Sequence, residues 1–184
     1  MQKYIPKVFC FVDSFNKDYI NSLGKNIAII YRNYENKINP DLILSIKNFC
    51  KKNGRKFYLS NNVKLSIKLN LDGVYLPSYN GDLKVNLFQK KSDFLILGSA
   101  HNIKEIRQKE LQNVSAIFLS PIFQTRKSKN FLGIIRTNLI TKLTNKNIIG
   151  LGGFNEKNLI KFKLLNIYGI ASISLFQKNK YVSF

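Results

Sequence analysis

Eight short apolar runs recur along this chain, and each is four or five residues long. Most are rich in β-branched or aromatic side chains, which is typical of buried strands. Longer segments with helical spacing separate the runs, and this alternation predicts repeated βα units with parallel strands. The predicted strands are Val8 to Val12, Ile27 to Tyr31, Lys56 to Leu59, Gly73 to Leu76, Phe94 to Leu97, Ala116 to Leu119, Ile148 to Leu151 and Gly169 to Ile173.

Seven helices are predicted between these strands. Pro40 with Asp41 marks one helix start, Asn102 followed by Glu105 is typical of a capping box, and Asn155 marks another start. The predicted helices are Phe15 to Leu23, Asp41 to Lys52, Val63 to Leu69, Asp82 to Lys90, Asn102 to Leu111, Thr137 to Leu143 and Asn155 to Leu165.

Eight parallel strands and seven connectors predict an α/β fold, a single compact (β/α)8 TIM barrel over residues 1–184. The chain is short for such a barrel, since about 250 residues is usual, and Ser174 to Phe184 leaves room for only a truncated last helix. An open doubly wound sheet is the alternative fold. It would carry a glycine-rich turn after the first strand, and the sequence has none there.

The formal net charge is +20, which is typical of proteins that bind nucleic acid or anionic surfaces. The lysines are spread along the whole chain, however, and no arm or helix collects them into a dense block. AT-rich coding explains this spread better than a polyanion partner does. The sequence therefore argues against nucleic acid as the partner.

Several features predict a cytoplasmic protein with no membrane partner. No apolar stretch approaches the roughly 20 residues that cross a bilayer. The first apolar run ends at Asp13 with no small-residue cleavage site, so no signal peptide is expected. Cys10 and Cys50 are the two cysteines, and they do not suggest a disulfide framework.

A barrel of this kind binds its ligand over the carboxyl ends of the strands, so the residues just after each strand are the candidates. Gly152 and Gly153 follow the seventh strand, where adjacent glycines let backbone N–H groups approach an anion. Ser174 follows the eighth strand. The loops after these two strands form the recurrent phosphate site of such barrels. The alternatives are a packing turn for the glycines and a helix cap for Ser174.

Further candidates follow the other strands. The segment from Ser120 to Lys129 carries Thr125, Lys129 and other cations and hydroxyls that could close over a phosphate, or it is a solvated basic loop. Ser99 and His101 follow the fifth strand, where Ser99 could serve only the turn and His101 could lie beside the helix cap. Arg32 follows the second strand and is a permanent bidentate anion ligand.

Five segments, in this order, resemble the thiamine-phosphate synthase and TenI family over nearly the whole chain. They match its Asp-Gly-Val-His-Leu strand, Gly-x-Ser-x-His turn, Gly-Pro-(Val/Ile)-Phe-Pro-Thr loop, Gly-Gly turn and final Gly-Val-Ala-x-Ile-Ser strand. The matching residues are Asp72 to Leu76, Leu97 to His101, Ser120 to Thr125, Gly150 to Gly153 and Gly169 to Ser174.

The resemblance implies the reaction that joins hydroxymethylpyrimidine diphosphate to thiazole phosphate, with release of diphosphate. It implies that Thr125, Gly153 and Ser174 hold the thiazole phosphate. It also implies that the diphosphate contacts Arg32, Asn61, Ser99 and a lysine of the loop after the sixth strand, of which Lys129 is the candidate. The partners are then phosphorylated small molecules, and pairing of two copies across the last helix is left open.

The chain departs from the family where magnesium would bind. The family's acidic residues after the third and fourth strands are Asn62 and Asn80 here, and neutral amides bind a hard cation far more weakly. A lysine after the second strand is replaced by Tyr34. Magnesium is therefore a weak expectation. The TenI branch, which includes thiazole tautomerases, does not need the metal, but the position of its acid-base histidine holds Pro121, and His101 belongs to a different turn.

Overall fold

The computed structural model describes residues 4–34, 38–126, 128–173 and 175–178. Its eight parallel strands follow one another around a closed barrel, and β8 pairs with β1 to complete it. The predicted (β/α)8 barrel is confirmed. The strands are β1 Val8–Val12, β2 Ile27–Tyr31, β3 Phe57–Ser60, β4 Gly73–Leu76, β5 Leu95–Ala100, β6 Ala116–Leu119, β7 Asn147–Leu151 and β8 Gly169–Ser172.

The helices surround this barrel. They are α1 Lys17–Ser22, α2 Pro40–Lys52, α3 Val63–Lys68, α4 Ile103–Leu111, α5 Gly133–Thr141, α6 Glu156–Leu159 and α7 Leu175–Lys178. The predicted helix Thr137 to Leu143 begins four residues earlier than expected, and Asn155 to Leu165 divides into α6 and the 3-10 turn Ile160–Leu164. The last helix is a single turn, as predicted. None of the helices in the described ranges is long and apolar enough to cross a bilayer.

The predicted helix Asp82 to Lys90 is wrong. Only the 3-10 turn Leu83–Asn86 forms there. The apolar spacing that suggested a helix is not buried, because Leu83 and Leu87 are exposed and Val85 alone packs into the core. Lys90 ends the segment by donating from Nζ to the carbonyls of Val85 and Phe88 at 2.8 and 2.6 Å.

Alternation along the strands divides the core into two layers. In β1, Val8 and Cys10 pack toward the helices, whereas Phe9 and Phe11 point into the barrel. Aromatic rings fill the interior: Phe118 lies 5.0 Å from Phe9 and 5.3 Å from Tyr75, centroid to centroid, in edge-on geometry. The interior is therefore a packed core, and a ligand must bind at an end of the barrel.

Asparagine side chains begin most of the helices. Asn39 caps α2, with Pro40 as its first helical residue, and Asn155 forms a reciprocal capping box with Asn158. Asn102 accepts a hydrogen bond from the Glu105 N–H, but Glu105 bonds to the backbone N–H of His101 rather than to that of Asn102. The predicted helix starts are thus confirmed, the box at Asn102 only in part.

Candidate functional site

Strand periodicity places polar residues at the carboxyl ends of the strands, directly above the aromatic interior. Side chains two residues apart share a face of a strand. Beyond the inward-facing Ile30, Tyr58, Leu97 and Phe118, the next residues of that parity are Arg32, Ser60, Ser99 and Ser120. We refer to the end of the barrel that these four residues define as the mouth.

Arg32 and Ser99 meet at the hydroxyl of Tyr75. The Arg32 guanidinium stacks on the Phe11 ring, 4.5 Å from its centroid. Burial raises the pKa of Tyr75 to about 12, and Ser99 and Arg32, both beside its hydroxyl, act in the opposite direction. Two predicted site residues from different strands therefore converge. Ser99 lies inside β5 rather than in a turn after it, so the predicted turn from Leu97 to His101 is wrong.

Two tyrosines extend this cluster toward solvent. The rings of Tyr34 and Tyr79 lie 6.3 Å apart in edge-on geometry, and the Tyr34 hydroxyl lies 3.4 Å from the Ser60 Oγ. Burial and the neighbouring Tyr34 raise the pKa of Tyr79. The sequence did not single out Ser60, Tyr75 or Tyr79. Ser60 follows the inward-facing Tyr58 by two residues in β3, and this spacing was the sequence signal that could have identified it.

Asn61 and Asn80 are joined directly, because Asn80 Nδ2 donates to Asn61 Oδ1 at 2.6 Å. The backbone of Asn61 has a positive φ of 57°, a conformation that asparagine tolerates better than most residues. Asn62 has a different task. Its Oδ1 accepts from the Leu65 N–H at 3.0 Å and caps α3. Asn61 and Asn80 thus lie together beyond the ends of β3 and β4, whereas the side chain of Asn62 is engaged in the fold.

A buried lysine holds the backbone beside Asn80. Lys109 of α4 is completely buried, and its Nζ donates to the carbonyls of Pro77 and Asn80 at 2.8 and 2.7 Å and to Gln112 Oε1 at 2.9 Å. Gln112 Nε2 in turn donates to the Asn80 carbonyl at 3.0 Å. Lys109 and Gln112 therefore hold the segment that follows β4 against the end of α4.

The loops after β6 and β7 pack backbone against backbone. The N–H groups of Ile122 and Phe123 donate to the carbonyls of Leu151 and Gly152 at 3.0 and 3.1 Å. Gly153 has a φ of 78°, and a Cβ at that position would collide with the carbonyl of Phe123 and lie 2.7 Å from that of Gln124. Only glycine fits this contact. The packing turn that the sequence offered as an alternative to anion binding therefore accounts for part of the role of Gly153.

The two glycines also present free donors. Within the described ranges, the N–H groups of Gly152 and Gly153 form no hydrogen bond. Helix α6 is one turn long, and the N–H groups of Asn155 and Asn158 at its start are bonded to each other's side chains. Anion recognition here would therefore rest on the glycine amides.

Thr125 lies next to Gly153 through this loop contact. Its backbone N–H donates to the Ser128 carbonyl at 3.1 Å, and its Oγ1 accepts from the Ser128 N–H at 3.0 Å. This turn presents Lys129 at an exposed position. Thr125 and the glycines are thus brought together, as predicted.

The end of β8 completes this side of the mouth, since Leu151 of β7 pairs with Ala171. Ser172 Oγ accepts from the Leu175 N–H at 3.0 Å and holds the start of α7. Ser174, a predicted phosphate ligand, lies outside the described residues, as do Lys127 and Glu35.

His101 does not join either cluster in the described contacts. Its side chain is half exposed, and its Nδ1 lies 2.9 Å from Glu105 Oε2 at the start of α4. Burial alone would raise the pKa of Glu105, but the hydrogen bonds from His101 outweigh it and lower the value. The position beside the helix cap, the alternative given from the sequence, is the one observed.

The residues that stand where the family holds magnesium do not fit a metal ion. Asn62 Oδ1 is used as a helix cap, and Asn80 Oδ1 accepts from the Asp82 N–H at 3.0 Å. In the part of the chain that the structure describes, no group of three or more His, Cys, Asp or Glu side chains could hold a metal ion.

Fold and mouth together define a (β/α)8 barrel whose strand ends carry an arginine, hydroxyls and free glycine amides, the groups that recognise anions. A model of the thiamine monophosphate synthase family matches residues 23–176. The chain therefore belongs to the thiamine monophosphate synthase/TenI family.

Relatives of known sequence agree with this assignment. A thiamine-phosphate synthase of Helicobacter pylori is 29% identical over 147 residues, covering 76% of this chain and 65% of that protein. A thiamine-phosphate synthase of Bacillus velezensis is 24% identical over 134 residues, covering 70% of this chain and 59% of that protein. The chain thus spans about three fifths of the length of these relatives.

Among solved structures, thiamine phosphate pyrophosphorylase from Pyrococcus furiosus superimposes with a TM-score of 0.73 at 15% identity, covering 95% of this chain and 92% of that one. KGPDC from Streptococcus mutans superimposes with a TM-score of 0.66 at 8% identity, covering 93% and 89%. At these identities the structural matches bear on the fold alone.

Proposed function

We propose that this chain acts in thiamine biosynthesis as a thiamine-phosphate synthase-like transferase. In this reaction the bond from the pyrimidine methylene carbon to the diphosphate oxygen breaks, and diphosphate leaves with the electron pair. The thiazole nitrogen then forms the new bond to that carbon. The relatives in Helicobacter pylori and Bacillus velezensis carry this activity in their names.

The proposal rests on one observation: Thr125 lies beside the free N–H groups of Gly152 and Gly153 at the mouth. Backbone donors and a hydroxyl are suited to a phosphate monoester. We assign the thiazole phosphate to this side of the mouth, with Ser174 as a further ligand.

Across the mouth, Arg32, Ser99 and Asn61 are the proposed ligands of the diphosphate, with exposed Lys129 closing from the loop after β6. The departing diphosphate gains negative charge, so fixed cations and hydroxyls lower the barrier by binding it more tightly in the transition state. Because Asn62 and Asn80 fit no metal, we propose that cationic side chains carry this role. The free thiols of Cys10 and Cys50 are consistent with a cytoplasmic location.

A second candidate function follows from the same amides. The proposed diphosphate ligands include no carboxylate that could hold a metal ion. The chain could therefore bind thiazole phosphate or thiamine phosphate without turnover, as a TenI-like member. A tautomerase would need an acid-base group, and His101 lies two residues before α4, bonded to Glu105. Loss of carboxythiazole phosphate isomerisation in His101→Ala would support that reading.

Turnover of both substrates tests the proposal. The full chain is incubated with hydroxymethylpyrimidine diphosphate and thiazole phosphate, with magnesium or with a chelator, and thiamine phosphate is measured. We expect product in both conditions. Absence of product at high enzyme concentration would exclude the synthase, and calorimetry with thiazole phosphate would then distinguish the binding-only function.

Variants at Thr125 locate the phosphate. Thr125→Val should raise the KM for thiazole phosphate about tenfold, the value of one lost charge-assisted hydrogen bond, and Thr125→Ser should restore it. Thr141→Val, which removes the same hydroxyl at the end of α5, is the matched control and should change nothing. Equal effects of both Val variants would place the phosphate elsewhere.

A further inference from the structure

A cavity of about 350 Å³ lies at the end of the barrel opposite the mouth. Its walls come from the end of α2, the loop into β3 and the residues that precede β4 and β5. Helices of a (β/α)8 barrel run antiparallel to the strands, so the end of α2 lies at the amino ends of the strands. We refer to it as the α2 cavity. None of the candidate residues at the mouth lines it.

The lining of the α2 cavity is strongly cationic. Asp72 is its one carboxylate, and that group is already used, since it accepts from Lys56 Nζ at 2.7 Å and from the Phe57 N–H at 3.0 Å. The five basic side chains of the lining are Lys47, Lys51, Arg55, Lys56 and Lys91. The lining thus carries four more cations than carboxylates, and two of its five cations are paired, Lys56 with Asp72 and Lys91 with Asp93 at 3.7 Å.

Lys47 and Lys51 leave their charges uncompensated. They lie one turn apart on the same face of α2, and like charges at that spacing repel each other. Neither forms an ion pair with any carboxylate of the described residues. An anion between the two charges would relieve this repulsion.

Arg55 adds a buried charge. It is only 6% exposed, and its Nη2 donates to the Leu23 carbonyl at 2.6 Å while Nη1 donates to that of Gly24 at 2.5 Å. Its Nε is buried without a hydrogen-bond partner in the described residues, and no ion pair compensates the guanidinium there. A buried cation without a counter-charge is costly, and an anion in the cavity would supply that charge.

We propose that the α2 cavity is a second ligand site that binds a compact oligophosphate. Converging cations in a concave surface concentrate the positive field, which favours a small ligand with several closely spaced charges. Nucleic acid is bound along an extended basic track instead, whereas this cavity is a half-open pocket of small-molecule size. The inference goes beyond the proposed synthase reaction and does not depend on it.

Binding of inorganic tripolyphosphate, diphosphate and phosphate to the full chain tests the site. Calorimetry at about 0.15 M salt, where exposed charges are screened, should show affinity that rises with the number of phosphate groups. Lys47→Gln with Lys51→Gln should weaken tripolyphosphate binding at least tenfold, since two charge-assisted contacts are lost. Lys142→Gln with Lys163→Gln removes the same charge from exposed positions on the other side of the barrel and is the matched control.

Each outcome decides the matter. Loss in the α2 double variant with retention in the control supports the site, as does unchanged tripolyphosphate binding in Thr125→Val, which separates it from the mouth. Equal loss in the two double variants would mean unspecific charge attraction and would overturn the proposal. So would tighter binding of a single-stranded RNA than of tripolyphosphate, or no binding at all. Circular dichroism checks that both double variants remain folded.

Discussion

At the scale of single residues, Lys109 is the least expected feature of the structure. Lysine is almost never fully buried, yet this side chain is completely enclosed and bonded to three carbonyl oxygens. Burial lowers the pKa of Lys109 to about 8, while the nearby Glu105 acts in the opposite direction. The ammonium remains the main form at neutral pH and keeps its three hydrogen bonds. Its position explains how the segment that carries Asn80 is held.

The depressed pKa of Lys109 predicts the sign of a pH effect. An unfolded lysine titrates near 10.4, so between about pH 8 and pH 10 the unfolded chain binds more protons at this site than the folded one. The cost of burying the charge is therefore complete below pH 8 and fades as the pH rises. This contribution should raise the free energy of unfolding by roughly 1 to 3 kcal/mol over that window.

Lys109→Met isolates this contribution, because other groups titrate alike in both proteins. Urea unfolding from about pH 7 to pH 10 should show the wild-type chain gaining stability relative to Lys109→Met. The variant itself should be less stable at neutral pH by about 1 to 3 kcal/mol, since the carbonyls of Pro77 and Asn80 and Gln112 Oε1 lose a donor. A constant difference between the two proteins across this range would contradict the lowered pKa.

At the scale of elements, the sequence was sufficient for the barrel but not for the details of its connectors. Val8 to Val12, Ile27 to Tyr31, Gly73 to Leu76 and Ala116 to Leu119 form strands with the predicted bounds, because their apolar runs are buried on both faces. The prediction of a helix over Asp82 to Lys90 was wrong because helical spacing cannot show whether the apolar side will pack against another element. Gly98 was taken for part of a turn. It lies within β5 instead, where a Cβ would come within 2.7 Å of Lys109 Cδ.

Candidate residues could be singled out from the sequence where they follow a predicted strand. Arg32, Gly152 and Gly153 do so directly, and Thr125 lies in the loop six residues beyond β6. The contact of Tyr75 with Ser99 and Arg32 depends on the closure of neighbouring strands, which no local pattern reveals. The sequence likewise could not show that Asn62 caps α3, a bond that uses the side-chain oxygen a ligand would need.

The contact between the loops after β6 and β7 can be tested with two glycines. Gly153→Ala must both adopt a positive φ and move the carbonyls of Phe123 and Gln124, whereas Gly54→Ala has a φ of 65° and no atom within 4 Å of the new Cβ. We expect a loss of about 1 to 2 kcal/mol for Gly54→Ala and about 2 to 4 kcal/mol for Gly153→Ala. Urea unfolding measures both changes.

The same pair of variants connects that packing to the proposed ligand. Calorimetry with thiazole phosphate should show binding lost in Gly153→Ala and retained in Gly54→Ala, because only the first variant displaces the free amides beside Thr125. Retained binding in a folded Gly153→Ala would remove the glycine amides from the phosphate site.

At the scale of the whole molecule, the net charge of +20 is the dominant feature that the fold does not explain. The sequence has 30 lysines and arginines against ten acidic residues, and the described residues show three ion pairs of lysine or arginine, so most cations lack a carboxylate at contact distance. Repulsion among them opposes the compact state more than the expanded one. The barrel is therefore stable in spite of its charge, through its aromatic interior and the layer between strands and helices.

Screening of this repulsion predicts that simple salt stabilises the chain. Raising NaCl from about 0.01 to 0.2 M shortens the Debye length from about 30 Å to less than 10 Å, which weakens repulsion between distant cations far more than the short ion pair of Lys56 with Asp72. The free energy of unfolding in urea, an uncharged denaturant, should therefore rise over this range. A fall would mean that contact pairs outweigh the repulsion.

The Lys47→Gln, Lys51→Gln double variant applies the same test to two neighbouring charges, which face each other across one helical turn. It should be more stable than wild type at low salt. It should also gain less stability from added NaCl than the Lys142→Gln, Lys163→Gln control.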